Sequence, residues 1–301
     1  MRRIAAALAA CLWLSAAAPA AAKGAGDAAK GEAAPAFQVE NSAVHTLRAR
    51  ASGRAYDLYV KVPPGYAKPE NAGRRYPVLY LNDGPYTFQV ASGVSRVPFS
   101  QGLFEEFILV GLSWAHGEDP ADSRSRDLTP WPNPRMARPT GGAKAYWEFL
   151  KTEAIPFVEA RYRIDPARRT LAGQSYGALF GLWVAFNDPG TFGNYVLTSP
   201  SIWFRDRAIL EAEEAYAARH EEMKARLYLA IGGQERPGTD CARCTFDMVA
   251  DQELLAQRLR SRNHKGLELR SEVVEGAFHE TTFPVGLIRA MQWLYLKKPA
   301  S

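Results

Sequence analysis

The sequence predicts an α/β fold in which helices cover both faces of a mostly parallel central sheet. Short buried strands alternate with helical stretches along most of the chain, and this alternation is typical of parallel sheets. The chain has 301 residues, of which 47% are hydrophobic, enough to bury one large core. We therefore expect a single folded domain over residues 37–301.

Eight stretches have the apolar or alternating pattern of strands, and helical periodicity separates the later ones. The first helical stretch, 146–158, should kink or restart at Pro156, because proline cannot donate the helical hydrogen bond. Strands are expected at 44–50, 55–62, 76–81, 107–112, 169–172, 195–198, 226–231 and 270–274, and further helices at 176–187, 205–222, 248–260 and 284–296.

The first 22 residues have the three parts of a secretory signal peptide. A basic Met1-Arg2-Arg3 precedes an apolar run over 4–14 and a small-residue end, Ala20-Ala21-Ala22. The apolar run is shorter than the roughly 20 residues of a membrane span. We expect cleavage after Ala22 and a periplasmic or secreted protein. The alternative is a lipoprotein anchored at Cys11, because Leu8-Ala9-Ala10-Cys11 resembles a lipoprotein cleavage box.

Residues 23–36 are mostly Ala, Gly, Lys and Pro, which predicts a flexible linker with too little apolar surface to order itself. Loss of Arg2 and Arg3 would lower the formal net charge from +5 to +3, and charges of both signs are mixed along the rest of the chain. This pattern argues against the clustered basic surface of a nucleic-acid-binding protein. No later stretch is long enough for a membrane span.

Export changes how the other two cysteines are interpreted. Cys241 and Cys244 form a Cys-x-x-Cys pair, which in an oxidising compartment predicts a local disulfide. Free thiols and a metal site are the alternatives. A redox pair would need a thioredoxin-like setting, and zinc would need two more ligands at suitable spacing, so we expect no metal.

Gly173-Gln174-Ser175-Tyr176-Gly177 is a Gly-x-Ser-x-Gly motif between a predicted strand and an apolar helical stretch. This context is that of a nucleophile elbow. The two glycines permit a strained turn, because side chains there would collide with the neighbouring strand and helix. The turn would project the Ser175 hydroxyl from the sheet edge and direct the Tyr176 amide at developing negative charge. The alternative is an ordinary tight turn with an exposed serine.

A serine hydroxyl needs a base to take its proton. His279 follows the last predicted strand and precedes the last helix, which gives the chain order nucleophile, acid, base. It is therefore the candidate base, and a helix-capping or surface histidine is the alternative. The other histidines lie before the elbow or in polar stretches: His45, His116, His220 and His264.

The acid that orients this base should follow the strand at 226–231, where Gly232-Gly233-Gln234 leads into Glu235. Glu235 is the favoured candidate, and its alternative is a solvated loop charge. Asp240, on a loop that the cysteine pair would pin, is the second candidate. A serine–histidine dyad without an acid is the third possibility.

A second oxyanion-hole amide is expected after the third strand, in the stretch Asn82-Asp83-Gly84-Pro85-Tyr86. Pro85 has no N–H, so the donor would be Gly84 or Tyr86. Gly84 is our candidate beside Tyr176.

With these motifs the sequence resembles the esterase family of α/β-hydrolases that includes esterase D and the trilactone siderophore hydrolases. The resemblance covers about residues 56–294. Its carriers are the stretches 76–84, 124–130 and 198–203, the elbow and His279. It implies an α/β-hydrolase fold and hydrolysis of carboxylic esters without a cofactor, with Ser175 attacking the carbonyl and His279 relaying the proton.

The resemblance also implies a binding pocket for anionic, aromatic catecholate siderophores. Arg124, Arg126, Trp131 and Trp203 would then be pocket residues, by analogy with the family. For the two arginines the alternative is an ion pair with Asp127 or Asp122.

We expect an exported serine esterase that acts on a small-molecule ester, with a siderophore trilactone as the candidate substrate. Two alternatives share the fold: a carbohydrate esterase that removes feruloyl or acetyl groups, and an acyltransferase. A third, from another class, is a non-catalytic hydrolase-like binding protein, and a nucleophile and base in the right order argue against it.

Overall fold

The computed structural model describes Ala34, residues 36–242 and residues 244–297. The expected signal peptide, Cys11 and all of the expected linker except Ala34 and Ala36 lie outside these residues. The chain divides into the segment Met1–Phe37 and one compact unit, Gln38–Ser301. Within the described residues, no helix combines the length and apolar character needed to cross a membrane.

A mostly parallel sheet forms the centre of the described part of the chain, with strand order β1-β2-β4-β3-β5-β6-β7-β8. The strands in chain order are β1 (Ser42–Arg48), β2 (Ala55–Lys61), β3 (Tyr76–Leu81), β4 (Ile108–Leu112), β5 (Ile164–Gln174), β6 (Asn194–Thr198), β7 (Glu222–Gly232) and β8 (Lys265–Val274). β2 pairs antiparallel with β1 and with β4. All other neighbours are parallel, so the predicted type of sheet is confirmed.

From β3 onward α-helices lie in the connections between the strands, and the last helix follows β8. They are α1 (Gly84–Ser100), α2 (Pro120–Leu128), α3 (Ala143–Phe149), α4 (Ile155–Arg161), α5 (Tyr176–Asn187), α6 (Phe204–Ala217), α7 (Met248–Arg262) and α8 (His279–Tyr295). A π-helical turn, Leu150–Ala154, joins α3 to α4, and Pro156 is the second residue of α4. The proline therefore restarts the helix, as its missing N–H requires.

Alternating strand side chains divide the core into two layers. In β3, Val78 and Tyr80 belong to one hydrophobic cluster, while Leu79 and Leu81 belong to the other. Residues of α2 to α7 pack in the first cluster, and residues of α1 and α8 pack in the second. Helices therefore cover both faces of the sheet, as predicted.

Sequence periodicity did not reveal α1 and α2, because both helices bury polar side chains. α1 buries Thr87, Ser92 and Ser95, and α2 buries Ser123 and Asp127. A buried face made partly of hydroxyls and a carboxylate has no regular hydrophobic repeat. α1 follows β3 and α2 follows β4, so both helices start at the carboxyl edge of the sheet, where the candidate site lies.

The predicted start of α8 was wrong by five residues. The prediction placed Pro284 at the first position of the helix, where proline is common. The helix instead begins at His279, and Pro284 lies inside it. The Phe278 amide donates to the Thr281 hydroxyl at 2.9 Å, which satisfies one backbone donor before the first turn. His279 is consequently fixed in a helical turn and does not lie on a free loop.

Candidate active site

Ser175 occupies a sharp turn between β5 and α5. Its backbone has φ 59° and ψ −116°, a conformation that non-glycine residues rarely adopt. Its amide donates to the Thr198 carbonyl at 3.0 Å, and its carbonyl accepts from the Leu179 amide at 2.9 Å. The neighbouring strand and the following helix therefore hold the strained residue at the carboxyl edge of the sheet.

The two glycines of the motif differ in how strictly they are required. A Cβ at Gly173 would lie 2.4 Å from both the carbonyl carbon and the carbonyl oxygen of Gly177. A Cβ at Gly177 would lie 3.3 Å from the Cβ of Asn82, a tight contact between side-chain atoms. Only the first contact forces backbone to move, so Gly173 is the stricter requirement.

His279 and Glu235 form a hydrogen-bonded pair beside this turn. Glu235 follows the end of β7 by three residues, and its Oε2 lies 2.6 Å from Nδ1 of His279. Because Nδ1 is bonded to Glu235, Nε2 is the ring nitrogen that could accept a proton. The Gln174 side-chain amide donates to the His279 carbonyl, which links the turn to the start of α8. Asp240, the second candidate acid, has an exposed side chain on the loop that follows Glu235.

The Glu235 carboxylate is completely buried and has several donors. Its Oε1 accepts from the Ser199 hydroxyl at 2.6 Å, the Gly232 amide at 2.8 Å and the Thr282 hydroxyl at 3.0 Å. Burial raises the pKa of Glu235, but His279 and the hydrogen bonds from Ser199 and Gly232 outweigh it, so the pKa lies below its ordinary value. Glu235 is therefore a fixed anion at neutral pH.

Ser201 contacts the candidate nucleophile directly. Its Oγ lies 3.2 Å from Oγ of Ser175, and its amide donates to the Ser175 carbonyl at 3.3 Å. Ser199 and Ser201 thus contact Glu235 and Ser175 from one turn after β6. Sequence reasoning assigned neither serine a role, although two small hydroxyl residues directly after a buried strand were the available signal.

Ser175 and His279 border one cavity of about 430 Å³. The loop that carries Cys241 and Cys244 forms part of its wall, and a disulfide joins these two cysteines. Trp203 borders the cavity as well. Within the described ranges, no group of three or more His, Cys, Asp or Glu side chains is placed to hold a metal ion.

The two candidate oxyanion amides lie at helix starts. Tyr176 is the first residue of α5, and Gly84 is the first residue of α1. The Tyr86 amide, the other candidate at the second turn, donates to the Asp83 carbonyl at 3.0 Å. That bond occupies Tyr86 and leaves Gly84 as the candidate at this turn.

Arg124 connects the two turns that carry these amides. Its Nε donates to the Asp83 carboxylate at 2.8 Å, and its terminal nitrogen donates to the Gln174 carbonyl at 3.1 Å. Asp83 was not among the expected partners, which were Asp127 and Asp122. The Arg124–Asp83 ion pair therefore lies at the candidate site, between the turn that follows β3 and the elbow that carries Ser175.

Of the other three residues proposed by analogy, Trp203 borders the cavity. Arg126 pairs with Asp127 at 2.8 Å and also contacts Glu118, so the ion pair named as its alternative is present. Trp131 packs against the first core cluster. Of the four described residues proposed by analogy, Trp203 is thus the one that borders this cavity and could meet a ligand there.

Comparison with known proteins places the chain among esterases. Residues 49–294 match the family model "Putative esterase". The chain is 25% identical over 280 residues to ferri-bacillibactin esterase BesA of Bacillus subtilis (strain 168), covering 89% of this chain and 94% of that protein. It is 30% identical over 241 residues to the siderophore enterobactin esterase of Emericella nidulans, covering 73% and 78%.

Solved structures agree with this placement. The BES protein from Bacillus cereus matches with a TM-score of 0.74 at 26% identity, covering 86% of this chain and 97% of that one. The predicted α/β-hydrolase fold is confirmed. The matched range, residues 49–294, contains strands β2 to β8 and all residues of the candidate site.

Gly173→Ala should destabilise the protein by about 3 kcal/mol, because the new Cβ would overlap the backbone of Gly177. Gly190→Ala is the matched control, since no atom lies within 4 Å of a Cβ built there. Chemical denaturation of both variants measures the difference. Equal stabilities would contradict the close approach of strand and helix at the elbow.

Glu235→Gln should reduce stability most at neutral pH. A carboxyl group whose pKa is lowered on folding stabilises the native state above its unfolded pKa, about 4.5 here, and this contribution disappears as the pH falls through the folded pKa. The difference in unfolding free energy between wild type and variant should therefore be present at pH 7 and shrink below pH 4.5. Denaturant titrations across this range measure it, and a constant difference down to pH 3 would argue against a buried anion.

Proposed function

The chain belongs to the "Putative esterase" family and is a carboxylic ester hydrolase, and we propose that it uses Ser175 as nucleophile, His279 as general base and Glu235 as the acid that orients the base. The observation that carries the proposal is the 2.6 Å bond between His279 Nδ1 and the buried Glu235. This pair borders the same cavity as Ser175, which lies on a strained elbow. The domain over residues 37–301 would be the catalytic unit.

In acylation, Ser175 Oγ would attack the ester carbonyl carbon while His279 Nε2 takes its proton. Glu235 fixes the tautomer of His279 and stabilises the imidazolium that forms. The imidazolium then gives the proton to the leaving alkoxide. A water molecule repeats these steps on the acyl-enzyme, which releases the carboxylic acid and restores Ser175. Before substrate binds, Ser201 holds the Ser175 hydroxyl, and hydrogen bonds of the catalytic groups tighten in the complex.

The tetrahedral intermediate carries negative charge on the former carbonyl oxygen. The amides of Tyr176 and Gly84 are proposed to donate to this oxygen. Each lies in the first turn of a helix, where unpaired amides and the helix dipole favour negative charge. Arg124 would support this arrangement by fixing the relative position of the two turns through Asp83 and Gln174.

We propose a siderophore ester as the substrate, with a trilactone backbone as the candidate bond. The names of two relatives, a ferri-bacillibactin esterase and a siderophore enterobactin esterase, support this choice. The cavity beside Ser175 is about 430 Å³, within the size range of sites for drug-sized ligands. We also propose export by residues 1–22, on the strength of their sequence pattern.

Ser175→Ala should abolish hydrolysis of p-nitrophenyl acetate and of a ferric trilactone siderophore, because no other group would form the acyl-enzyme. Ser261→Ala, an exposed serine on α7, is the matched control and should retain wild-type turnover. A thermal melt shows whether each variant is folded. Turnover by folded Ser175→Ala within tenfold of wild type would exclude Ser175 as nucleophile. Preference of the wild type for a feruloyl polysaccharide over the trilactone would exclude the siderophore.

Glu235→Gln should lower kcat by roughly 10²- to 10⁴-fold with little change in KM, because the lost carboxylate stabilises the imidazolium in the transition state. Asp240→Asn is the matched variant, and its kcat should stay within about tenfold of wild type. Both are measured at the same pH. A crippled Asp240→Asn would reassign the acid, and two active variants would indicate a Ser175–His279 dyad.

A further inference from the structure

The loop over residues 236–247 starts directly after Glu235, and its other end returns to the backbone of the same residue. Glu235 lies three residues beyond the end of β7, and the Met248 amide at the start of α7 donates back to the Glu235 carbonyl at 3.0 Å. The described residues of the loop that border the cavity are Asp240, Cys241, Ala242, Cys244, Thr245 and Phe246. One loop thus forms a large part of the wall around the proposed nucleophile.

Covalent and hydrogen bonds restrain this loop. The Cys241–Cys244 disulfide closes a short ring within it. The Thr239 hydroxyl contacts the carbonyls of Gln234 and Arg236, both at 2.8 Å. A cross-link of this kind reduces the conformations available to the segment that it closes. The loop therefore presents a defined surface to the cavity.

Phe246 is the residue of this loop whose position needs a functional explanation. Its ring stacks on Trp203 with centroids 4.6 Å apart and planes inclined by 7°, yet 48% of Phe246 stays exposed. Trp203 in turn contacts the ring of Tyr176, with centroids 6.2 Å apart. Contacting aromatic rings thus connect the cavity wall, formed here by Phe246 and Trp203, with the residue next to Ser175. Exposed apolar surface inside a cleft is typical of a ligand-binding site.

We propose that Trp203 and Phe246 form a subsite for a planar aromatic ring of the substrate, and that the Cys241–Cys244 disulfide keeps Phe246 in position. The inference rests on the proposed serine esterase function and defines the substrate class of that site. Aromatic rings stack more favourably on one another than saturated rings do, by an amount equivalent to roughly three- to tenfold in affinity. The enzyme should therefore select esters that carry a phenyl group over esters that carry a cyclohexyl group.

The test compares kcat/KM for two matched ester pairs. One pair, methyl 3-phenylpropionate and methyl 3-cyclohexylpropionate, places the ring in the acyl part. The other, 2-phenylethyl acetate and 2-cyclohexylethyl acetate, places it in the alcohol part. Wild type should prefer the phenyl ester by roughly three- to tenfold in at least one pair. Phe246→Leu should bring this ratio close to one through a higher KM for the phenyl ester. Phe37→Leu, which changes a 94% exposed phenylalanine, is the control and should keep the ratio.

A second arm tests the disulfide. Mass spectrometry of the non-reduced protein should show Cys241 and Cys244 linked, and mild reduction should lower the phenyl preference in the same way as Phe246→Leu. A melt of the reduced protein confirms that it remains folded, and the Cys241→Ser/Cys244→Ser double variant repeats the measurement without reductant.

The outcomes separate the parts of the proposal. An equal rate for phenyl and cyclohexyl esters in wild type, or an unchanged ratio in Phe246→Leu, would overturn the aromatic subsite. Free cysteines, or a ratio that survives both reduction and the double variant, would overturn the role of the disulfide. If wild type hydrolysed none of the four esters and also failed to hydrolyse p-nitrophenyl acetate, the proposed serine esterase function would be contradicted instead.

Discussion

The buried carboxylate of Glu235 is the constraint on which the arrangement of the site depends. An isolated buried charge is very costly, so the surrounding structure must supply hydrogen bonds to it. These come from separate elements: Ser199 after β6, Gly232 at the end of β7, and Thr282 and His279 in the first turn of α8. Satisfying one anion therefore brings together the carboxyl ends of two neighbouring strands and the start of the last helix.

The strained turn at Ser175 depends on the same edge of the sheet. A residue in such a conformation costs about 1–3 kcal/mol and persists only where its neighbours fix it. Here the Thr198 carbonyl holds its amide, and Ser201 holds its carbonyl and approaches its hydroxyl. Residues at and just after the end of β6 thus hold both the proposed acid, Glu235, and the proposed nucleophile, Ser175. The side chains proposed to react are thus held by the fold itself, which is the condition for stabilising a transition state without reorganisation.

The strands and the approximate place of each candidate side chain followed from local patterns in the sequence. Alternation, the Gly-x-Ser-x-Gly spacing and chain order are properties of short segments. What could not be predicted depends on contacts between distant segments. Helices α1 and α2 bury polar faces, so hydrophobic periodicity did not reveal them. The pairing of Arg124 with Asp83 requires the folded sheet edge. Chain order favoured Glu235 over Asp240 as the partner of His279, and the fold brings Glu235 and His279 into contact.

The side chain and the backbone carbonyl of Glu235 contact different parts of the structure. Its side chain is held by β6, β7 and α8, whereas its backbone carbonyl receives the returning end of the 236–247 loop. The carboxylate position is thus determined by elements other than the loop. The loop can therefore differ in length, cross-linking or aromatic content while the anion beside His279 stays in place. Such an arrangement lets the wall of the cavity change in shape while the proposed acid, Glu235, keeps its position beside His279.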